Sequence, residues 1–255
     1  MSSLLVALVL SVKEISESDL LVNFLSRERG RLSAVAKGAR RSRRRFVNKL
    51  EPGHLLRIHL RKGRPGLAPF LEAADLLFAP EISRTDPRRF VLASYFIELC
   101  ERSSPPAEGQ EVFPLLLETL KFLEKESPPP ILKPYFELRL LRLLGWSPEF
   151  RVCVACGKDL ASSAYFSFAG GGLKCNRCAH EKDRILSPRA RAVLSTLFKL
   201  SPESLPRLRI PEEVIREMAV LVESFLKKVL DQDIKALKTL KDLESHARKG
   251  HEKRA

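Results

Sequence analysis

Two pairs of cysteines constrain this chain more than any other feature of its sequence. Cys153 and Cys156 form one pair, Cys175 and Cys178 form the other, and 18 residues separate the two. Each Cys-x2-Cys can present two thiolates from one tight turn, and two such turns complete the tetrahedral shell that Zn²⁺ prefers. Because four thiolates leave no coordination position open for a reactant, the spacing predicts a structural zinc ion rather than a catalytic one.

The segment between the two pairs has the pattern of a small β-ribbon. Residues 165–168 predict a strand, three glycines at 170–172 predict a turn, and a return strand leads into the second pair. His180 is an alternative ligand, although the four cysteines already complete the set. A thioredoxin-like redox pair would need a βαβ setting and a zinc deaminase a His-x-Glu element, and the sequence has neither. Cys100, the fifth cysteine, lies in an apolar helical pattern and is predicted to be buried.

Residues 1–80 have the alternation and turn chemistry of a small β-barrel. Five short strands in this length favour a closed barrel, of which the OB-fold is the commonest five-stranded form. One of these strands places Leu56, Ile58 and Leu60 on a core face and Arg57 and Arg61 on the opposite face. The five predicted strands cover residues 4–13, 20–26, 32–38, 55–61 and 67–77.

The remainder of the chain has apolar residues at helical spacing. Helices are predicted over 87–102, 112–126 and 133–144, from Ser187-Pro188 onward, and from Pro211 onward. The predicted fold class is therefore α+β, an N-terminal OB-fold barrel followed by a helical domain with an inserted four-cysteine zinc ribbon. The predicted boundaries are 1–80 for the barrel, 81–245 for the helical domain, 150–182 for the ribbon and 246–255 for a charged, frayed tail.

The positive charge of the chain is concentrated in one segment. Lys and Arg outnumber Asp and Glu by 45 to 31, and ten basic residues but one acidic residue lie between Arg27 and Lys49. A surface that is merely solvated would not favour so many positive charges in one segment, because like charges repel one another. A membrane-binding helix would need an apolar face, which this segment lacks. The segment therefore predicts binding to a nucleic-acid backbone without sequence readout. The predicted contacts are Lys37, Arg40, Arg41, Arg43, Arg44 and Arg45, extended by Arg57 and Arg61.

Several motifs of enzymes are missing from the sequence. It has no phosphate-binding loop, no nucleophile motif and no acidic cluster typical of a two-metal nuclease, which predicts a protein without catalytic activity. It also has no signal peptide and no apolar run long enough to span a membrane, which predicts a cytoplasmic protein. Two other interpretations stay open from the residues alone: an RNA-binding or ribosome-associated zinc-ribbon protein, and a zinc-dependent enzyme.

The motifs together resemble the RecO family of DNA repair proteins. The resemblance is carried by the barrel, the basic sequence AVAKGARRSRRRF, the helical remainder, and a ribbon CxxCG…GGGLKCxxC that follows LLGW. It extends over almost the whole chain, and the KGAR segment and the position of the ribbon are its most specific parts. Some members of the family lack the cysteines, so the zinc site resembles one branch of it.

This resemblance implies a mediator of the RecF recombination pathway, associated with the nucleoid when bound to DNA. Such proteins bind single- and double-stranded DNA, anneal complementary strands, associate with RecR, and help to exchange single-strand-binding protein for RecA recombinase. The basic segment corresponds by position to the DNA-contacting segment of the family. The family also binds the acidic C-terminal tail of single-strand-binding protein through its helical domain. Arg139 and Arg142, which have apolar neighbours on a predicted helix, are the candidates here, and solvation of that helix is the alternative role for both.

Overall fold

The computed structural model describes residues 2–63, 66–81, 85–160, 164–231 and 234–252, with the backbone alone for 2 and 244–252. The chain divides into two compact units, Met1–Ser127 with Ile234–Ala255, and Pro128–Asp233. Six α-helices lie in the described ranges: α1 Pro87–Ser103, α2 Val112–Lys125, α3 Leu132–Leu143, α4 Pro188–Leu197, α5 Glu212–Leu230 and α6 Lys235–Glu252. No helix among these residues is long and apolar enough to cross a membrane.

The first unit is built on a closed barrel of five strands in the order β1-β2-β3-β5-β4. Neighbouring strands are antiparallel except β3 and β5, whose parallel pairing of Val35 with Phe70 closes the barrel. This confirms the predicted five-stranded barrel. The strands are β1 Ser2–Glu14, β2 Leu20–Ser26, β3 Gly30–Ala36, β4 Leu55–Arg61 and β5 Phe70–Phe78.

The third strand begins and ends two residues before its predicted bounds of 32 and 38. Gly38 has φ 64°, in the left-handed region, and precedes a short 3-10 helix, Ala39–Arg41. Because such a backbone conformation cannot continue a strand, the chain leaves the sheet after Ala36.

The core of the barrel follows the period of two expected for its strands. On β4, Leu56, Ile58 and Leu60 are buried, while Arg57 and Arg61 are exposed, as predicted. The core also includes three residues of the loop between β3 and β4, Ala39, Phe46 and Leu50. The loop that carries the arginines is therefore anchored at both ends by apolar burial.

Three of the described helices, α1, α2 and α6, belong to the first unit. Helix α1 begins after Asp86, whose side chain accepts hydrogen bonds from the backbone N–H groups of Arg88 and Arg89, and Pro87 occupies the first turn. Helix α6 packs against α1. These helices thus belong to the same compact unit as the barrel. The single helical domain predicted over 81–245 remains a prediction about which part of the chain folds independently.

Helix α6 is absent from the sequence-based expectations. Its first two backbone N–H groups, of Lys235 and Ala236, donate to the carboxylate of Glu98 on α1 at 3.0 and 2.8 Å. The described apolar contacts of this helix are few, mainly Leu237 and Leu240. A helix capped from 137 residues away cannot be recognised from local sequence.

The second unit contains α3, α4, α5 and a small sheet. The sheet has the order β7-β6-β8, with strands β6 Ala164–Ser167, β7 Gly172–Lys174 and β8 Arg184–Leu186. Phe166 on β6 is fully buried, and its ring lies 5.5 Å from that of Phe225 on α5 and 6.1 Å from that of Phe150. Edge-to-face aromatic packing of this kind attaches the sheet to the helices of its own unit.

Candidate metal centre and nucleic-acid interface

The structure brings the four cysteines of the two pairs together. The sulfur atoms of Cys153, Cys156, Cys175 and Cys178 all lie within 4.8 Å of one another. The Sγ atoms of Cys156 and Cys175 are 3.9 Å apart. A tetrahedral Zn²⁺ with Zn–S bonds of about 2.3 Å requires sulfur atoms about 3.8 Å apart. The group can therefore hold a metal ion, and His180 is not a member of it among the described residues.

The backbone of each pair forms the tight turn that such a site needs. Gly157 has φ 71° and its N–H donates to the carbonyl of Cys153 at 2.8 Å. In the second pair, the N–H of Cys178 donates to the carbonyl of Cys175 at 3.0 Å. Each turn directs two sulfur atoms to the same side, as the spacing predicted.

Hydrogen bonds to sulfur show which thiol is prepared to ionise. Burial acts to raise the pKa of Cys153, but backbone N–H groups, first that of Cys175, donate to its sulfur and lower the pKa to about 6. The thiol of Cys178 interacts with the sulfurs of Cys175 and Cys156, which raises its pKa to about 12. Four sulfurs this close cannot all be anionic without a cation between them, so the donor set fits a soft divalent metal.

The arginine-rich loop is held at both ends and exposed between them. Ala39, the first residue of the 3-10 helix, and Phe46 are both buried in the barrel core. All six predicted cations of the segment are exposed. Together with Arg57 and Arg61 they are called the basic surface below: Lys37, Arg40, Arg41, Arg43, Arg44, Arg45, Arg57 and Arg61.

The cations of the basic surface are only partly neutralised. Arg40 contacts Glu14 at 3.0 Å, and Arg41 contacts Glu17 at 3.5 Å, both in solvent-exposed pairs. Within the part of the chain that the structure describes, Arg43, Arg44 and Arg57 make no ion pair. Exposed pairs contribute only about 0–1 kcal/mol each, so a polyanion can replace Glu14 and Glu17 at little cost.

Phe70 organises the second half of the basic surface. The Lys37 ammonium lies 4.7 Å and the Arg61 guanidinium 5.1 Å from the centroid of its ring. Arg45 donates to the carbonyl of Lys37 at 3.0 Å, which ties the loop to the same place. Phe70 was not among the predicted site residues, because a single aromatic residue at the start of a strand is too weak a signal to indicate a role.

The two arginines predicted to bind a partner peptide differ in their surroundings. Arg139 donates to the backbone carbonyls of Phe198 and Leu200 at 3.2 and 3.0 Å, near the C-terminus of α4. Its guanidinium is therefore engaged in a structural contact. Arg142 is exposed, and its guanidinium lies 4.2 Å from the centroid of the Phe198 ring. The same end of α3 is followed by Trp146, which is also exposed.

Comparison with known proteins agrees with this architecture. The model of the family Recombination protein O N terminal matches residues 1–77, and that of Recombination protein O C terminal matches residues 84–238. The DNA repair protein RecO of Syntrophus aciditrophicus (strain SB) is 34% identical over 247 residues, which covers 92% of this chain and 94% of the relative. The protein of the same name from Myxococcus xanthus (strain DK1622) is 34% identical, with 91% and 93% covered. That of Heliobacterium modesticaldum (strain ATCC 51547 / Ice1) is 33% identical, with 87% and 82% covered.

The barrel topology and these matches define a recombination and DNA repair protein with an N-terminal OB-fold. Both parts of the family model are present, in order, over most of the chain. The chain belongs to the RecO family of DNA repair proteins.

Proposed function

We propose that this protein is a non-enzymatic recombination mediator that binds single- and double-stranded DNA through the basic surface of its barrel. It anneals complementary strands and, with RecR, helps to load RecA onto DNA coated by single-strand-binding protein. The observation that supports this proposal is the exposure of eight cations on one loop and one strand of the barrel, of which Lys37, Arg45 and Arg61 meet around Phe70. Its DNA target implies a cytoplasmic protein associated with the nucleoid.

The chemistry of annealing needs no covalent step. Two complementary strands repel each other through their phosphates, and arginine side chains that screen both leave the base edges free to pair. Guanidinium groups suit this role because they bind phosphate through two parallel hydrogen bonds and stay charged at any physiological pH. Arg43 and Arg44, exposed and without an acidic partner in the described residues, supply the cations most available for it.

We further propose that Cys153, Cys156, Cys175 and Cys178 hold one structural Zn²⁺. A bound zinc ion would cross-link the two turns of the ribbon. Thiolate ligands favour zinc over harder divalent cations, and four of them close the shell to any substrate. Metal analysis of the purified protein tests this: one zinc per chain is expected, and a chain without metal, or with iron instead, contradicts it.

The partner proteins are proposed on the basis of family membership. We expect binding to RecR and to the acidic C-terminal tail of single-strand-binding protein. Arg142 suits the tail because an exposed cation beside the Phe198 ring can meet a carboxylate next to an apolar residue. Arg139 belongs to the same predicted site but is expected to act by holding the end of α4.

Annealing of two labelled complementary oligonucleotides, each pre-coated with single-strand-binding protein, tests the central proposal. The protein is expected to accelerate annealing, and the acceleration is expected to fade as salt is added, because phosphate contacts release counterions. Binding without acceleration, together with preference for structured RNA, would contradict the mediator and favour an RNA-binding protein.

A further inference from the structure

We propose that the outer face of the cysteine ribbon, together with its exposed edge strand β8, is a second binding site for single-stranded nucleic acid. The site is called the ribbon face and consists of Tyr165, Arg177, Lys182, Arg184, Ile185 and Arg189. The inference rests on the proposed DNA-binding function and extends it from the barrel to the second unit.

The ribbon carries more positive charge than its own acidic residues can neutralise. Residues 151–191 contain eight basic and three acidic side chains. One acidic residue, Asp183, is paired internally with Lys174 at 3.0 Å, and both side chains are largely buried. A zinc ion with four thiolates carries a net charge of −2, which offsets only part of the surplus.

The remaining cations of the ribbon face point to solvent. Four of them are exposed and, within the described residues, make no ion pair: Arg177, Lys182, Arg184 and Arg189. Two of the three acidic residues of 151–191, Asp159 and Glu181, are exposed, and only Glu181 lies between Arg177 and Arg189 in the sequence. Like charges that lie so near one another in the sequence repel, and a bound polyanion would relieve that repulsion.

The strand register adds an apolar platform to these cations. Tyr165 on β6 is paired with Lys174 on β7 and with Ile185 on β8, so the three residues lie on one face of the sheet. Arg184 is paired with Phe166 and lies on the other side of β8, where it is exposed at the edge of the sheet. Ile185 is 66% exposed, and β8 is an edge strand. The opposite face is core, because Phe166 is fully buried. The apolar part of the outer face therefore consists of the half-buried Tyr165 and the exposed Ile185.

Aromatic and aliphatic surface flanked by exposed cations is the chemistry that binds single-stranded nucleic acid. Bases stack on rings, and cations follow the phosphates. An anionic membrane would need a wide apolar face, which a three-residue edge strand does not provide. A site on each of the two units would let one chain hold two strands at once, which is what annealing requires.

The test uses the full chain and a variant that neutralises the ribbon face. The salt dependence of its binding to a labelled single strand is measured by fluorescence anisotropy, and the log–log slope is expected to fall by about 0.7 for each lost phosphate contact. The ribbon variant is Arg177→Gln, Lys182→Gln, Arg184→Gln and Arg189→Gln. A control with the same charge change elsewhere on the second unit is Lys199→Gln, Arg207→Gln, Arg209→Gln and Lys228→Gln, all exposed in the native chain.

A bridging assay tests directly whether the protein can hold a second strand while the first is bound. An oligonucleotide on beads is mixed with the protein and a labelled oligonucleotide that is not complementary to it. The native chain and the control variant are expected to retain the label, and the ribbon variant is expected to lose most of it. Bridging and salt slope unchanged in the ribbon variant overturn the ribbon site but leave the barrel function intact. A native chain that binds no single strand overturns the proposed function as well.

Substitution at Tyr165 separates stacking from charge. Tyr165→Phe keeps the ring and is expected to bridge normally, whereas Tyr165→Ala is expected to bridge less at unchanged salt slope. Metal content and melting temperature are measured on both, so that a folding defect is recognised. Equal bridging by well-folded Tyr165→Ala and Tyr165→Phe would overturn the stacking role. Capture of an acidic peptide in preference to DNA would overturn the assignment of the site to nucleic acid.

Discussion

The barrel and the cysteine ribbon are stabilised in different ways. The barrel has five strands of seven to thirteen residues around a continuous apolar core, into which even its basic loop inserts Phe46 and Leu50. The ribbon has strands of only four, three and three residues. Sheets this short bury too little surface to be stable alone, so the ribbon depends on the packing of Phe166 against Phe225 and on what joins its cysteines. Removal of metal should therefore affect the ribbon, whereas disruption of the apolar core should affect the barrel.

Loss of the cysteine cluster is expected to have the largest effect. Cys153→Ser with Cys175→Ser should abolish metal binding and unfold the ribbon, since structural zinc contributes about 10–16 kcal/mol in zinc-finger peptides. Intrinsic DNA contact through the barrel should persist. Metal content, limited proteolysis and calorimetry measure the outcome. Cys100→Ala is the control, because Cys100 is buried outside the cluster and burial raises the pKa of its thiol. Normal melting and normal zinc content in the double variant would contradict the role of the cysteine cluster in binding metal and stabilising the ribbon.

Disruption of the barrel core should lower the stability of the barrel and leave the zinc content unchanged. Phe24 is fully buried among the core residues of the barrel. Phe24→Ala is expected to cost about 3–5 kcal/mol through lost burial and a residual cavity. Chemical denaturation should show this cost, while the zinc content of the folded protein stays at its native value. Loss of zinc in step with barrel stability would show that the two regions do not differ as inferred.

Neutralisation of the basic surface should change DNA binding more than stability. Replacement by Gln is expected to weaken binding and to reduce the log–log salt slope by about 0.7 for each lost contact with a single strand. Stability should change by about 1 kcal/mol or less, because the ion pairs of Arg40 and Arg41 are exposed. The variant is Arg40→Gln, Arg41→Gln, Arg43→Gln, Arg44→Gln and Arg45→Gln.

The matched control for this variant removes five other exposed cations of the same unit. An unchanged salt slope in the basic-surface variant, or an equal fall in both, would show that the DNA-binding surface lies elsewhere. The control is Arg88→Gln, Lys121→Gln, Lys125→Gln, Lys235→Gln and Lys238→Gln.

The smallest expected effect concerns the helix that sequence analysis missed. Glu98→Ala removes the carboxylate that accepts from Lys235 and Ala236 and should cost about 1 kcal/mol, as for loss of a helix cap. Hydrogen exchange should locate the change in α6. Glu98→Gln, which retains an acceptor oxygen, should cost less.

A fall in pH should weaken the contact between the Glu98 carboxylate and the first N–H groups of α6. Burial acts to raise the pKa of Glu98, but the N–H groups of Ala236 and Lys235 and the side chain of Arg102 lower it below its ordinary 4.5. A carboxyl with a lowered folded pKa stabilises the protein above the ordinary value, and that contribution is lost as the pH falls through the folded pKa. The difference in stability between native and Glu98→Ala protein should therefore shrink below pH 4.5. A constant difference at all pH values would contradict the assignment.

The sequence by itself determined the features that depend on local spacing. Two Cys-x2-Cys turns bring together four sulfurs because each turn needs only four residues. Alternation on β4 separates Leu56, Ile58 and Leu60 from Arg57 and Arg61, since side chains of a strand alternate between its faces. The exposure of the arginine-rich segment follows from its charge density.

Only the tertiary structure decided which distant residues meet. The parallel pairing of Val35 with Phe70 places the Phe70 ring beside Lys37 and Arg61. The binding of Arg139 to the end of α4 and the capping of α6 by Glu98 also join residues far apart in sequence. Contacts of this kind depend on how whole elements pack, and no periodicity or spacing within a single segment encodes them.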